Sequence, residues 1–210
     1  LHLFNEEWKT YDCGSISLSG IEIDSTNEST LYNSLVLDND KYNIVIMHGQ
    51  IGQINLNAMK NKGIDYLALG HVHEYQNGPI DNRGIYCYSG CLEGRGFDEC
   101  GAKGFVVLDI DEQKLTAGFS FIPFAYRNLY TIYVDVTGAM TTQDAAAKIE
   151  DELAKNPYSS RSLVKIVLVG EVDVDCEINT DFLKDMFEEY FYYEKVYDET
   201  KLLINYSDYE

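Results

Sequence analysis

Basic residues are scarce in this chain. Its 210 residues hold 16 lysines and arginines against 35 aspartates and glutamates, a formal net charge of −19. Polyanion binding by bulk electrostatics leaves a basic footprint, and none is present; a local basic or metal-lined cleft stays open. Proline is scarcer still: Pro79, Pro123 and Pro157 leave no proline-rich linker, and there is no internal repeat or low-complexity stretch. No apolar run approaches the ~20 residues of a membrane span, and the first residues lack the form of a signal peptide. Five cysteines make an odd count, and the gaps of three and eight residues among Cys87, Cys91 and Cys100 match no usual zinc spacing. They read as reduced thiols of a cytoplasmic protein without membrane attachment. The chain opens on Leu1 rather than Met, which reads as a processed product or a piece of something longer.

What is present is globular. With 45% hydrophobic and 13% aromatic residues, the chain can bury a core, and its length suits one large domain or a medium and a small one. The acid is uneven: residues 171–210 carry 13 acids and 3 bases, most simply a solvated face.

Leu1–Phe4 and Ser15–Ile23 alternate like half-buried strands. Tyr42–Met47 and Tyr66–Leu69 are short and nearly continuously apolar, as interior strands covered on both faces are. Ile54–Lys62 reads as a short helix stopped by Gly63, Ile85–Tyr88 and Phe105–Ile110 as further strands, and Ser89–Gly104 as a glycine-rich loop. The pattern changes near 125. Thr131–Thr137 and Leu163–Val169 read as strands, Thr142–Asn156 as a helix with Thr141 and Asp144 forming a capping box, Asp181–Glu194 as a second helix, and Leu202–Ile204 as a last strand. The expected organisation is α/β, with one domain over 1–124 and a small β-α-β-α-β domain over 125–210.

Three of the four histidines fall where strands end. His48 follows one buried strand, and His71 and His73 follow the next; His2 has no such context. Sites in α/β sheets collect at the carboxyl ends of strands, and alternate residues of extended chain share a face, so Val72 turns inward between two imidazoles. Imidazoles so placed suit divalent Mn, Fe or Zn.

The stretches M-H-G at 47–49 and G-H-V-H at 70–73 resemble the last two motifs of the calcineurin-like metallophosphoesterases, and Y-S-G-C-L-E-G-R-G-F-D-E-C-G-A-K-G-F at 88–105 is similar to the segment that follows in bacterial DNA-repair exonucleases of the SbcD and YhaO type. The resemblance covers about residues 1–125 and implies the C-terminal half of an α/β/β/α sandwich, followed by a capping domain. It implies two divalent ions, Mn before Fe or Zn, with His48 and His71 on one and His73 on the other. A hydroxide between the ions would attack the phosphorus. The family's earlier motifs, D-x-H, G-D-x-x-D and G-N-H-D/E, are absent from these 210 residues. The dinuclear site therefore cannot close, no catalytic residue can be assigned, and the isolated chain is expected to have little or no activity.

Arg95, between Gly94 and Gly96, is a candidate substrate contact through phosphate, or pins its loop through Glu93, Asp98 or Glu99. Lys103 has the same two readings. Glu74 either orients an imidazole or is solvated, and Tyr75 is a weak candidate for a cleft wall. Phe182, Met186, Phe187 and Phe191 read as core, with Tyr190, Tyr192 and Tyr193 left to cover a partner. Three functions follow as expectations: a phosphodiesterase or DNA exonuclease, a non-catalytic module docking an SMC-like ATPase, and a phosphoesterase for small nucleotides. A half-sandwich exposes a sheet edge, so a homodimer is also expected.

Overall fold

A computed structural model describes residues 3–203. His2, half of the expected Leu1–Phe4 strand and the last residue of the expected Leu202–Ile204 strand lie outside them. The fold is mixed α/β, with four sheets and short helices among the described residues. It divides into two compact units: the first runs through Leu92 and resumes over Lys103–Phe124, and the second takes Glu93–Ala102 and the chain from Ala125 on. Among the described residues, no helix is long and apolar enough to cross a membrane.

The first unit holds β1 (Lys9–Cys13), β2 (Ile16–Gly20), α1 (Leu31–Ser34), β3 (Tyr42–His48), α2 (Leu56–Met59), β4 (Tyr66–Gly70), β5 (Gln76–Pro79), β6 (Ile85–Tyr88), β7 (Gly104–Asp111) and β8 (Thr116–Pro123). Six strands form one sheet in the order β1-β2-β3-β4-β6-β5. Its four central strands are parallel, and the outer two are antiparallel additions. The carboxyl ends of β2, β3, β4 and β6 therefore lie along one edge.

Both faces of this sheet are covered, which is why β3 and β4 read as continuous apolar runs. Val45, Met47, Leu67 and Leu69 pack with Leu31, Leu35 and Met59 on one face. Tyr42, Ile44, Tyr66 and Ala68 meet Val106, Leu108, Ile110 and Ala117 of the β7–β8 hairpin on the other. The period of two in strands sorts neighbouring side chains to opposite faces. Burial, with help from Asp65, pushes the Tyr42 hydroxyl up to about 12.

The expected helix over Ile54–Lys62 is a single turn. Asn55 caps it by accepting from the Ala58 N–H at 3.1 Å, and the chain leaves the helix at Lys60 in an extended conformation. Asn61 then takes a left-handed φ of 59°.

The second unit contains β9 (Leu129–Asp135), α3 (Thr142–Leu153), β10 (Leu163–Val169), β11 (Glu171–Val172), α4 (Thr180–Phe187), β12 (Tyr193–Asp198) and β13 (Lys201–Leu202). β12, β10 and β9 form an all-parallel sheet. Ala145, Ala146 and Ile149 of α3 and Leu183 and Phe187 of α4 bury against Ile132, Val134, Val164, Ile166 and Leu168. The Thr141–Asp144 capping box forms in both directions.

The second helix is shorter than its sequence pattern: α4 stops at Phe187, and 193–198 is a strand. Six residue pairs join β12 to β10, and a helix continued to Glu194 would leave that side of β10 unpaired. Leu183, Phe187 and Phe191 form the buried row, whereas Phe182 and Tyr190 on the adjoining row are exposed. Tyr192 and Tyr193 are exposed as well.

Glu194 is the chemical oddity of β12, only 4% exposed. Burial first, and then Glu188, raise its carboxyl above the ordinary glutamate range. The folded form therefore binds this proton more tightly than the unfolded chain does. The group is neutral to stability below the ordinary value and costs stability as pH rises through the raised one. Glu194→Gln is expected to raise the second unit's unfolding temperature more at about pH 8 than at about pH 4. Calorimetry at the two pH values checks this, and equal shifts would contradict it.

Candidate active site

The carboxyl edge of the large sheet brings His48 and His71 together. His48 is the last residue of β3, in register with Gly70, and His71 follows directly. Their rings are perpendicular, with centroids 5.4 Å apart, and both side chains are exposed. Gly70 makes the approach possible. A Cβ there would lie 2.8 Å from His48 Nδ1, so any other residue would push the imidazole aside. His71 has φ of 104°, a conformation that costs a non-glycine residue about 1–3 kcal/mol and persists only where the surroundings enforce it.

Two carboxylates share this pocket. Asp24 and Glu28, on the loop after β2, line a cavity of about 320 Å³ with Tyr32, His48, Gln53 and His71. Asp24 Oδ1 accepts from the Thr26 hydroxyl at 2.6 Å and from the Thr26 and Asn27 N–H groups at 2.7 and 3.1 Å. The Thr26 hydroxyl, chiefly, holds its carboxyl below the usual carboxylate range. Buried Asn27 ties the loop down, donating to the carbonyls of Glu6 and Glu22 at 2.8 Å each.

In the sequence these acids fall in a polar stretch, 24–30, that carries no motif. The rule that selected His48 and His71, chemistry at strand ends, applies equally to Asp24. Among the described residues, however, no three His, Cys, Asp or Glu side chains converge to hold one ion.

His73 does not line this cavity. It is exposed, and its backbone is what the fold grips: the His73 carbonyl accepts from Lys103 Nζ at 3.0 Å and from the Cys91 N–H at 3.4 Å. Lys103 is 4% exposed, so its buried ammonium serves as a pin for the turn carrying the histidines. Val72, between them, packs into the core as alternation requires. Tyr88, fully buried, donates to the Gly49 carbonyl at 2.7 Å and fixes the chain just after His48. Burial raises its hydroxyl.

Lys103→Met keeps the apolar stem and removes the donor. We expect global stability to change by no more than about 1 kcal/mol, because the cost of burying the ammonium disappears too. Amide exchange over residues 71–75 should accelerate, and unchanged exchange would contradict the pin.

Arg95, Glu93 and Tyr75 have structural partners. Arg95 pairs with Glu99, Nη2 to Oε1 at 3.2 Å, while the Arg95 N–H donates to Glu99 Oε2 at 2.9 Å. The loop lies in the second unit, where the Gly101 N–H donates to the Leu129 carbonyl at 3.0 Å. A Cβ on Gly94 would meet Leu129 Cδ1 at 2.5 Å, which explains the glycine beside Arg95. Glu93 accepts from the Tyr126 N–H at 2.7 Å. Tyr75 stacks on Phe121 with centroids 4.6 Å apart, a packing role. Glu74 is exposed.

No protein-family model matches the chain, and no curated protein matches it either.

Proposed function

We propose that this chain is the histidine-bearing part of a divalent-metal phosphodiesterase, of the DNA exonuclease kind. In this reading the first unit is the C-terminal half of an α/β/β/α sandwich, and the second is its capping domain. The carrying observation is the His48–His71 pair: perpendicular imidazoles at adjacent parallel strand ends, one admitted by Gly70 and the other held in a strained backbone. Strained residues cluster at functional sites, and exposed imidazole nitrogens suit Mn, Fe or Zn.

His48 and His71 would hold one ion, and His73 a second. Bound there, divalent ions supply a nucleophile near neutral pH and neutralise charge on the phosphoryl oxygens. Lys103 and Tyr88 keep the two histidine-bearing turns in place, and Asp24 lends negative charge to the same pocket. The substrate is a phosphodiester, DNA or a small nucleotide, in a cytoplasmic setting.

A second reading draws on the absence, among the described residues, of a group of three ligands. Here the chain is a binding module, docking an SMC-like ATPase or pairing with a second copy, and hydrolysis needs residues it does not carry. Both readings predict a weak metal site and an inactive isolated chain.

The test is Mn²⁺-induced stabilisation. At tenfold excess over Kd the chain should gain about 1.4 kcal/mol, about 3–6 °C in melting temperature, with the gain abolished in His48→Ala and His71→Ala. Phosphodiester hydrolysis should stay at the metal-only blank. No stabilisation, or stabilisation unchanged in both variants, would sink the metal site. Hydrolysis well above the blank, lost in His71→Ala, would show that the chain is catalytically sufficient.

A further inference from the structure

The second unit carries a groove that the histidine site does not use. It lies between the starts of α3 and α4, has a volume of about 910 Å³, and is lined by Met140, Ile178, Phe182, Asp175, Glu177 and Asp198, among others. In parallel sheets such a position, at the carboxyl ends of the strands, is where ligands collect. Two features fix what it can hold.

The first is charge. Two helix starts contribute roughly half a positive charge each, but both are already answered from within. Asp144 accepts from the Met140 and Thr141 N–H groups at 3.1 and 3.0 Å, and Asn179 accepts from the Phe182 N–H at 3.0 Å. Against them stand Asp175, Glu177 and Asp198 on the lining, with no lysine or arginine among the lining residues. The field is therefore negative. The Cys176 thiol, inside the groove, is raised by burial and then by Asp198, Asp144 and Asp173. A ligand here is cationic.

The second is apolar exposure. Phe182 is 51% exposed and Met140 44%, although Phe182 belongs to an amphipathic helix whose other aromatic, Phe187, packs inward. A plain polycation would satisfy the carboxylates and leave this surface wet. Methionine and phenylalanine beside carboxylates match a segment with alternate apolar and basic faces, the groove-docking mode of amphipathic peptides. A second copy is a poor occupant of this groove, because its acidic lining would face a chain of net charge −19.

We propose that this groove docks a basic amphipathic peptide segment of a partner protein, independently of the histidine site's chemistry. The test uses the full chain and a short fluorescent peptide built of leucine and lysine only, read by anisotropy. Asp175→Asn with Glu177→Gln, and separately Phe182→Ser, should each weaken binding by about tenfold, as loss of a central contact does. Glu150→Gln with Asp151→Asn, an equal charge change on the exposed side of α3, should change it less than about twofold.

Equal weakening by the two charge variants would overturn the proposal in favour of diffuse attraction. A serine–lysine peptide binding as tightly would reassign the groove to plain polycations. Self-association in sedimentation that Phe182→Ser abolishes would assign it to a second copy.

Discussion

Asn43→Ala is expected to destabilise the first unit by about 3–5 kcal/mol, near the upper end of what single substitutions do. Asn43 is fully buried on β3, at the end of the sheet opposite the histidines. Its Nδ2 donates to the carbonyls of Asp38 and Gly63 at 2.8 Å each, and its Oδ1 accepts from Ser17 Oγ at 2.5 Å. Its own N–H donates to Asp65 at 2.8 Å, and Asp65 is gripped by Arg83 through Nε and Nη2 at 2.8 and 2.9 Å. One amide thus joins β2, β3 and the segment leading into β4. Alanine takes the amide partner from the Gly63 carbonyl and the Ser17 hydroxyl, at about 1–3 kcal/mol for each that stays dry, while the Asp38 carbonyl keeps the Lys41 N–H at 3.2 Å. Trp8, the only tryptophan, packs on this unit's core and donates to the Leu31 carbonyl at 2.8 Å, so its fluorescence reports the transition in urea. A loss below about 1 kcal/mol would mean that water replaces the amide.

Gly70→Ala should produce the opposite pattern, with the fold kept and the proposed metal site lost. The new methyl would fall 2.8 Å from His48 Nδ1. A side-chain ring yields more readily than a strand, so the imidazole swings away. Displacing the support of one ligand typically costs about 10- to 100-fold in metal affinity. Stability should move by less than about 1 kcal/mol, because alanine also restricts the unfolded chain. Mn²⁺ titration beside a thermal melt separates the two effects, and unchanged affinity with a normal melt would contradict the role given to Gly70.

Legibility in the sequence followed burial. β3 and β4 are covered on both faces, so their apolar runs announce them, and β10, central between two parallel neighbours, buries Val164, Ile166, Val167 and Leu168. The capping box of α3 is a local signal and appears where the residues place it. β1 and β5 are polar edge strands defined by their partners, and nothing in K-T-Y-D-C or Q-N-G-P marks a strand. β12 misleads most, because aromatics at helical spacing run past Phe187 while pairing with β10 decides the conformation. The site divides the same way. His48 and His71 sit at strand ends that patterning can find. Lys103 reaches His73 across 30 residues of chain, and Tyr88 reaches Gly49 across 39. Such contacts have no local trace.

In the proposed site His48 and His71 share one metal ion. Proton NMR of the imidazole Cε1–H resonances during Mn²⁺ titration tests it most directly. Both resonances are expected to broaden in parallel, with one half-saturation point, and either substitution to alanine to remove the effect from the other. Broadening of one ring alone, or of neither, would contradict it.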